Sequence, residues 1–322
     1  MIIKIFNLQI IFLTIILLLL CTSGCQPRYP EINLEPSEEE DIVTAPTPHY
    51  EPQNDSSFYE DKPYLRITIA PVISSPQSRE SYRSLLSYLP EKIEHPVELV
   101  MRSSHGEVTQ LLKHNMVDIA LICPASYMEI KETEEYEVLA VPQIEGQVFY
   151  KTHIIASAED DFNSLKDLHG ETFVFTDPLS FSGNLYPIHL LEQAGEEPDT
   201  FFADYFYSYN PENSVLAVAE GWIGGGAVNS LVFDYLVENN PELKENLQII
   251  ESSSRVGYVP FVVNKNLPKE LKEKLQNVLV EMHREEEGRK ALAELRMERF
   301  LSPGEVDYES FNQLREIWED LN

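Results

Sequence analysis

The segment Ser180–Gly183 has the residue types that can hold a small anion. It stands between the β-rich run "ETFVF" and the helix-like run "GNLYPIHLLEQAG". The first turn of a helix has N–H groups without partners and a partial positive charge, so these four amides are predicted to converge on one oxyanion. Two hydroxyls add donors, and a glycine lets the ligand approach the backbone. The predicted donors are Ser180, Phe181, Ser182 and Gly183.

On spacing alone a second interpretation of this segment is open. Serine is common at helix starts, so Ser180 and Ser182 can simply cap the helix. Pro187 fits the first turn of that helix, where a missing N–H has little effect, and Gly195 is predicted to follow its last turn.

Strands and helices alternate on both sides of this segment. The runs "YLRITIAPV", "HPVELVM" and "VDIALIC" predict strands separated by helices, and "ETFVF", "FFADYFYS", "GGGAVNS" and "LQIIES" predict a second set. Two extended runs of similar pattern, "FYKTHIIASAED" and "VGYVPFVVNKNL", are predicted to cross between two lobes. We therefore expect an α/β clamshell that closes on its ligand by hinge motion, with residues 63–150 and 264–322 in lobe I and 151–263 in lobe II.

The third predicted strand places two further side chains at a sheet edge where open α/β sheets bind ligands. These are Ser126 and Tyr127, which follow "VDIALIC". For Tyr127, packing is favoured over ligand contact.

Composition and charge restrict the function. The 322 residues suit two lobes of ordinary size, and the formal net charge of −30 argues against binding nucleic acid or anionic lipid by electrostatic attraction. The three cysteines, Cys21, Cys25 and Cys123, predict no disulfide framework. No cofactor, metal site or catalytic residue is expected.

The N-terminus has the three parts of a secretory signal: an early Lys4, a long apolar stretch and small residues before Cys25. We predict a lipoprotein signal peptide over residues 1–24, lipid on Cys25, and an acidic, Pro-rich disordered tether over 25–62. An uncleaved membrane anchor is the alternative. Either way the folded part is predicted to be extracytoplasmic.

From Tyr64 onward the chain resembles the phosphate/phosphite/phosphonate-type substrate-binding proteins of ABC transporters, the PhnD-like family. The resemblance rests on "VDIALICPASY", "SLKDLHGETFVFTDPLSFSGNLYP", "SVLAVAEG", "GAVNS" and "PFVVNKNLPKELKEK". It implies a type II periplasmic-binding-protein fold that holds an oxyanion of phosphorus between two lobes. It also implies a monomer whose partners are an ABC permease and its ATPase.

The resemblance also implies roles for single positions. Tyr150 matches a tyrosine that contacts the phosphorus group, although an ordinary aromatic is as compatible with the sequence. His105 stands where relatives often have tyrosine; it is either a donor that makes binding pH-sensitive or a plain loop residue. Asn229 is either a ligand contact or a polar group of the hinge.

Departures from the family pattern restrict the choice of ligand. Pro211 replaces a histidine that contacts oxyanion in relatives, and the neighbouring Glu212 is expected to cap a helix. Leu231 and Val259 replace carboxylates that pair with an ammonium group. Because an unpaired buried ammonium is costly, we expect phosphite, phosphate or an alkylphosphonate rather than 2-aminoethylphosphonate.

Two other functional classes compete with a transport protein. An enzyme is disfavoured, because "GWIGGGAVNS" lacks the Gly-Lys-Ser/Thr of a phosphate loop and no Gly-x-Ser-x-Gly elbow occurs. A binding protein that signals to a membrane kinase or receptor is the alternative function, since the same clamshell serves both.

Overall fold

The computed structural model describes residues 64–70, 82–144, 146–255, 259–306 and 309–321. All of these belong to one compact unit, Pro52–Asn322. The predicted signal peptide, Cys25 and tether lie outside the described residues. Within the described ranges, no helix combines the length and apolar character that crossing a membrane requires.

The first sheet has six strands in the order β11-β4-β10-β3-β1-β2. Strand β1 pairs in parallel with β2 and β3, whereas β10 runs antiparallel to β3 and β4, and β11 antiparallel to β4. The strands are β1 (Leu65–Ile69), β2 (Val97–Leu99), β3 (Ile119–Leu121), β4 (Tyr136–Gln143), β10 (Phe261–Asn264) and β11 (Arg299–Leu301).

The second sheet has five strands in the order β7-β6-β8-β5-β9. Strand β6 pairs in parallel with β7 and β8, and β5 runs antiparallel to β8 and β9. The strands are β5 (Thr152–Ser157), β6 (Thr172–Phe175), β7 (Asp204–Tyr207), β8 (Gly225–Asn229) and β9 (Leu247–Ser252). We call each sheet with its helices a lobe, and the predicted two-lobed α/β fold is confirmed.

Helices cover both sheets because each carries an apolar stripe at helical spacing, as Leu85, Tyr88, Leu89 and Ile93 do on α1. The first lobe has α1 (Arg83–Ile93), α2 (His105–Lys113), α3 (Pro124–Lys131), α9 (Lys269–Glu281) and α10 (Glu286–Glu294). The second has α4 (Tyr186–Gln193), α5 (Pro198–Phe201), α6 (Pro211–Ala219), α7 (Ser230–Asn239) and α8 (Pro241–Asn246). A last helix, α11, spans Glu309–Leu321.

Two features differ from the sequence prediction. Strand β10 pairs within the first sheet, so the predicted boundary between residues 263 and 264 cuts through a strand of the first lobe. The helix predicted from Gly183 begins instead with a π-turn at Phe181–Leu185, after which α4 follows. Gly195 was predicted to follow the last turn of this helix, and its geometry agrees. Its φ is positive, at 76°, and its amide donates a hydrogen bond to the Glu192 carbonyl.

The two lobes are in contact in this structure. One apolar cluster joins Cys123, Ala125 and Met128 of the first lobe to Phe181 and Tyr186 of the second. Leu314 and Ile317 of α11 belong to the same cluster, and α11 packs on α3, α4 and the π-turn. Apolar packing therefore holds the two lobes together in this structure.

Candidate anion-binding site

A cavity of about 30 Å³ lies where the two lobes meet. Its described lining includes no lysine, arginine, aspartate or glutamate. The lining residues are His105, Cys123, Pro124, Tyr150, Thr176, Ser180, Ser182, Pro211, Asn229, Leu231 and Val259.

Five helical segments begin at the wall of this cavity. The residues at these starts are His105 of α2, Pro124 of α3, Ser180 before the π-turn, Pro211 of α6 and Asn229 before α7. Each helix N-terminus carries roughly half a positive elementary charge. These starts contribute partial positive charge at the cavity without a cationic side chain, and the start of α2 already binds the Asp177 carboxylate. Such partial charges let a protein of net charge −30 bind a small anion.

The Ser180–Gly183 segment has fewer free amides than its sequence predicts. The Ser180 amide donates to the Asp177 carbonyl at 2.8 Å, the Phe181 amide to Cys123 Sγ at 3.5 Å, and the Gly183 amide to Ser180 Oγ at 3.0 Å. The Ser182 amide has no acceptor among the described residues. The π-turn and the closed lobes thus use three of the four amides internally.

Ser180 caps the π-turn and also lines the cavity. Its Oγ accepts from the Gly183 amide, so the capping interpretation holds for this serine, while its hydroxyl hydrogen is left for a ligand. Phe181 is fully buried and, like Gly183, is absent from the described wall.

Gly183 is required by packing rather than by ligand approach. A Cβ on Gly183 would lie 2.4 Å from both Cβ and Oγ1 of Thr176. The Gly183 carbonyl also accepts from the Thr176 amide at 2.9 Å, which binds the π-turn to the end of β6. Close packing of Gly183 on Thr176 therefore fixes the π-turn against β6, and with it the position of the serine hydroxyls.

Tyr150 and Ser182 form a pair of hydroxyl groups at the wall. Burial raises the pKa of Tyr150 well above its usual value, nearby Cys123 adds to this, and the hydrogen bond with Ser182 opposes it. Tyr150 is 6% exposed and Ser182 is 3% exposed. Both groups stay neutral and can donate to an oxyanion without adding negative charge.

His105 joins the two lobes through its backbone and lines the cavity. Its amide donates to Asp177 Oδ2 of the second lobe at 2.9 Å. Burial lowers the pKa of His105, and the charge of Asp177 opposes this. The ring Nδ1 is buried and has no partner within the described part of the chain.

Asn229 caps a helix and lines the cavity, whereas its predicted contact with a ligand stays a prediction. Its Oδ1 accepts from the Val232 amide at 2.8 Å and caps α7, so the two Nδ2 hydrogens are left for the cavity that it lines. Glu212 does not cap α6; the Asn210 side chain does, accepting from Glu212 N at 2.9 Å.

Ser126 and Tyr127 do not reach the described cavity wall. Ser126 is fully buried with an unpartnered Oγ, and Tyr127 packs into the apolar clusters of α3. Packing, the interpretation favoured for Tyr127, is what the structure shows.

Three lining residues were not predicted: Cys123, Pro124 and Thr176. Each follows the carboxyl end of β3 or β6, the same positional signal that singled out Ser126. Burial raises the pKa of the Cys123 thiol to about 11, so this side chain also stays neutral. Leu231, Val259 and Pro211, which replace polar groups of the family pattern, form an apolar part of the wall.

Comparison with known proteins identifies the family. The sequence model of the family described as "ABC transporter, phosphonate, periplasmic substrate-binding protein" matches residues 67–308. The chain belongs to this family. The resemblance drawn from the sequence is thereby confirmed, and the protein is a periplasmic-type substrate-binding protein of a phosphonate or phosphate ABC transporter.

Individual members of the family and of the fold are similar to this chain. A phosphate-import protein PhnD of Mycolicibacterium smegmatis is 28% identical over 228 residues, which cover 67% of this chain and 71% of the relative. The crystal structure of a binding protein component of an ABC phosphonate transporter from Pseudomonas aeruginosa has a TM-score of 0.72 at 24% identity, covering 80% of this chain and 86% of that one. PhnD1 of Prochlorococcus marinus, solved with methylphosphonate, has a TM-score of 0.72 at 18% identity over 81% of this chain and 98% of that one.

Proposed function

We propose that this protein captures phosphite, phosphate or a short alkylphosphonate between its lobes, outside the cytoplasmic membrane, for uptake by an ABC permease. The observation that carries this proposal is the cavity at which five helical segments begin and whose described lining is free of charged carboxylates and cations. Helix N-termini and neutral hydroxyls favour an anion over a cation or a neutral solute.

Cavity size and lining narrow the ligand. The cavity of about 30 Å³ is small, so a compact oxyanion requires less displacement of the wall than a ligand with a long substituent. Leu231 and Val259 can contact a hydrogen or a methyl group on phosphorus, but they offer nothing to an ammonium group. We therefore expect 2-aminoethylphosphonate to bind poorly.

Two relatives support this choice by what is known of them. The Mycolicibacterium smegmatis protein is a phosphate-import protein, and the Prochlorococcus marinus structure holds methylphosphonate. Both ligands are small phosphorus oxyanions without an ammonium group.

The N-terminus supports an anchored location. We propose that residues 1–24 are removed, that Cys25 takes lipid, and that residues 25–62 tether the two lobes to the membrane. Replacing Cys25→Ser should move the protein from the membrane fraction to the soluble fraction of cells. Retention of the variant in the membrane fraction would argue for an uncleaved anchor.

A thermal-shift series on the purified protein tests the ligand. Phosphate, phosphite and methylphosphonate should each raise the melting temperature, because a ligand that binds only the folded state stabilises it by mass action. 2-Aminoethylphosphonate should give a much smaller shift. The ligand assignment is wrong if 2-aminoethylphosphonate gives the largest shift, and the function is wrong if no phosphorus oxyanion gives any.

A further inference from the structure

His105 has an unusual combination of position and unsatisfied bonding. It begins α2, lines the anion cavity and is 6% exposed. Its Nδ1 is buried and bonds to no atom of the described chain. Because buried polar atoms normally have partners, the unpartnered ring nitrogen of a residue that lines the cavity is a candidate to bond with the ligand once the side chain adjusts to it.

Among the described titratable groups at the cavity, the His105 ring is the one that can accept a proton near neutral pH. Asp177 of the second lobe accepts from the His105 amide, and its charge favours a protonated ring. The thiol of Cys123, at the start of the adjacent α3, and the phenol of Tyr150 stay neutral.

Other charges on these two helices are engaged elsewhere. Glu107 of α2 accepts from the Ser103 amide at 2.9 Å. At the far end of α2, Lys113 pairs with Glu129 of α3. These groups leave Asp177 as the charge that acts on the ring, and burial of the ring outweighs it. The imidazole of the ligand-free protein is therefore neutral near pH 7.

We propose that His105 and the bound oxyanion together hold one proton, which makes His105 the residue that selects phosphorus oxyanions. The proposal rests on the proposed function and specifies the form of ligand that the cavity accepts.

Two routes give the same complex. A monoanion brings its own P–O–H proton, and the neutral Nδ1 accepts a hydrogen bond from it. A dianion binds together with one proton from the solvent, which adds to Nδ1, and the resulting N–H donates to the oxyanion. Only this proton moves, and its charge balances one negative charge of the dianion.

The shared proton favours phosphorus oxyanions over sulfate because the two kinds of ligand differ in their affinity for a proton. Phosphorus oxyanions take up a proton close to neutral pH, with a second pKa of about 6 in a phosphate monoester. Sulfate carries no proton under these conditions, so it must always bind with a proton taken from the solvent. Phosphate should therefore bind more tightly than sulfate at neutral pH.

Calorimetric titration of the protein with inorganic phosphate tests the proposal. At about pH 8.5 phosphate is mostly dianionic, and titrations in two buffers of different ionisation enthalpy give the number of protons taken up. The wild type should take up close to one proton per phosphate. His105→Asn keeps an amide donor near the Nδ1 position but cannot titrate, so its uptake should fall to about zero, and its preference for phosphate over sulfate should decrease.

The matched control is His114→Asn, at the exposed end of the same helix. It should keep the wild-type uptake. Phosphate binding by the wild type without proton uptake would overturn the proposal. This wild-type titration decides the question even if His105→Asn fails to fold. Uptake of one proton by a folded His105→Asn variant would overturn it too. Absence of any binding by the wild type would instead overturn the proposed function.

Discussion

The hydroxyl of Ser182 offers a direct test of the cavity as an anion site. The side chain is 3% exposed, lines the cavity and lies near Tyr150. Ser182→Ala removes this hydroxyl but keeps the backbone amide, which has no acceptor among the described residues. The substitution therefore removes a donor to the ligand while leaving the π-turn and its cap in place.

The expected loss follows from the charge of the ligand. A hydrogen bond to a charged group contributes about 1.5–3 kcal/mol, which corresponds to an affinity lower by roughly 10- to 150-fold. Ser180→Ala should lower affinity similarly and should also reduce the free energy of unfolding of the ligand-free protein by about 0.5–2 kcal/mol, because Ser180 caps the π-turn.

Calorimetry with phosphate and urea unfolding of the ligand-free protein separate the two effects. Ser164→Ala is the matched control, since Ser164 bonds to Asp167 in the second lobe and does not line the cavity. It should leave phosphate affinity unchanged. If Ser182→Ala binds phosphate as tightly as the wild type, the hydroxyl is not a ligand donor and the assignment of this wall is refuted.

Three further predictions address packing, specificity and pH. Gly183→Ala should lower the free energy of unfolding by about 1–3 kcal/mol, because its Cβ would lie 2.4 Å from Thr176. Gly106→Ala is the control and should cause no such loss, because the nearest atom to its Cβ would be 3.9 Å away. Urea unfolding of both variants measures the difference. Leu231→Glu should weaken phosphate binding by more than about tenfold through charge repulsion and should raise the relative affinity for 2-aminoethylphosphonate. Calorimetry with both ligands measures the two affinities. If the variant ranks the two ligands as the wild type does, Leu231 does not line the ligand site. Burial lowers the pKa of His153 from 6.5 to about 4, so this group stabilises the fold above pH 6.5 and loses that contribution as the pH falls towards 4. The loss is at most about 3 kcal/mol, and His153→Asn, measured by urea unfolding across this range, should depend less on pH; an unchanged dependence would refute the assignment.

Local patterns predicted most of what positions the site. The periodic run "GEVTQLLKHN" gave α2, and the turn residues after "ETFVF" placed Ser180 and Ser182 at a helical start. Tyr150, His105 and Asn229, suggested by the family resemblance, also line the cavity. These features depend on short-range spacing or on a motif, and both are visible in the sequence.

Contacts between lobes were not predictable in the same way. The Phe181 amide bonds to Cys123, 58 residues away, and the His105 amide bonds to Asp177, 72 residues away. The contact between these distant segments occupies the Phe181 amide, which the sequence predicted to be free. The Ser180 and Gly183 amides are occupied by local bonds of the turn, to the Asp177 carbonyl and to Ser180 Oγ.

Two missed elements did carry a signal. Strand β4 is a largely apolar run, which is typical of a buried strand. In the sheet it lies between β11 and β10. Helix α11 places Leu314, Ile317, Trp318 and Leu321 at helical spacing. Its partners belong to both lobes, so its role in joining them required the structure.

An oxyanion should bind where the five helical segments begin, held by neutral donors. A crystal structure of the protein with arsenate, a phosphate analogue whose arsenic scatters anomalously, tests this expectation most directly. We expect an anomalous peak inside the cavity, with arsenate oxygens within hydrogen-bonding distance of Ser182 Oγ and the Tyr150 hydroxyl. Arsenate bound elsewhere, with this cavity left without a peak at saturating concentration, would contradict it.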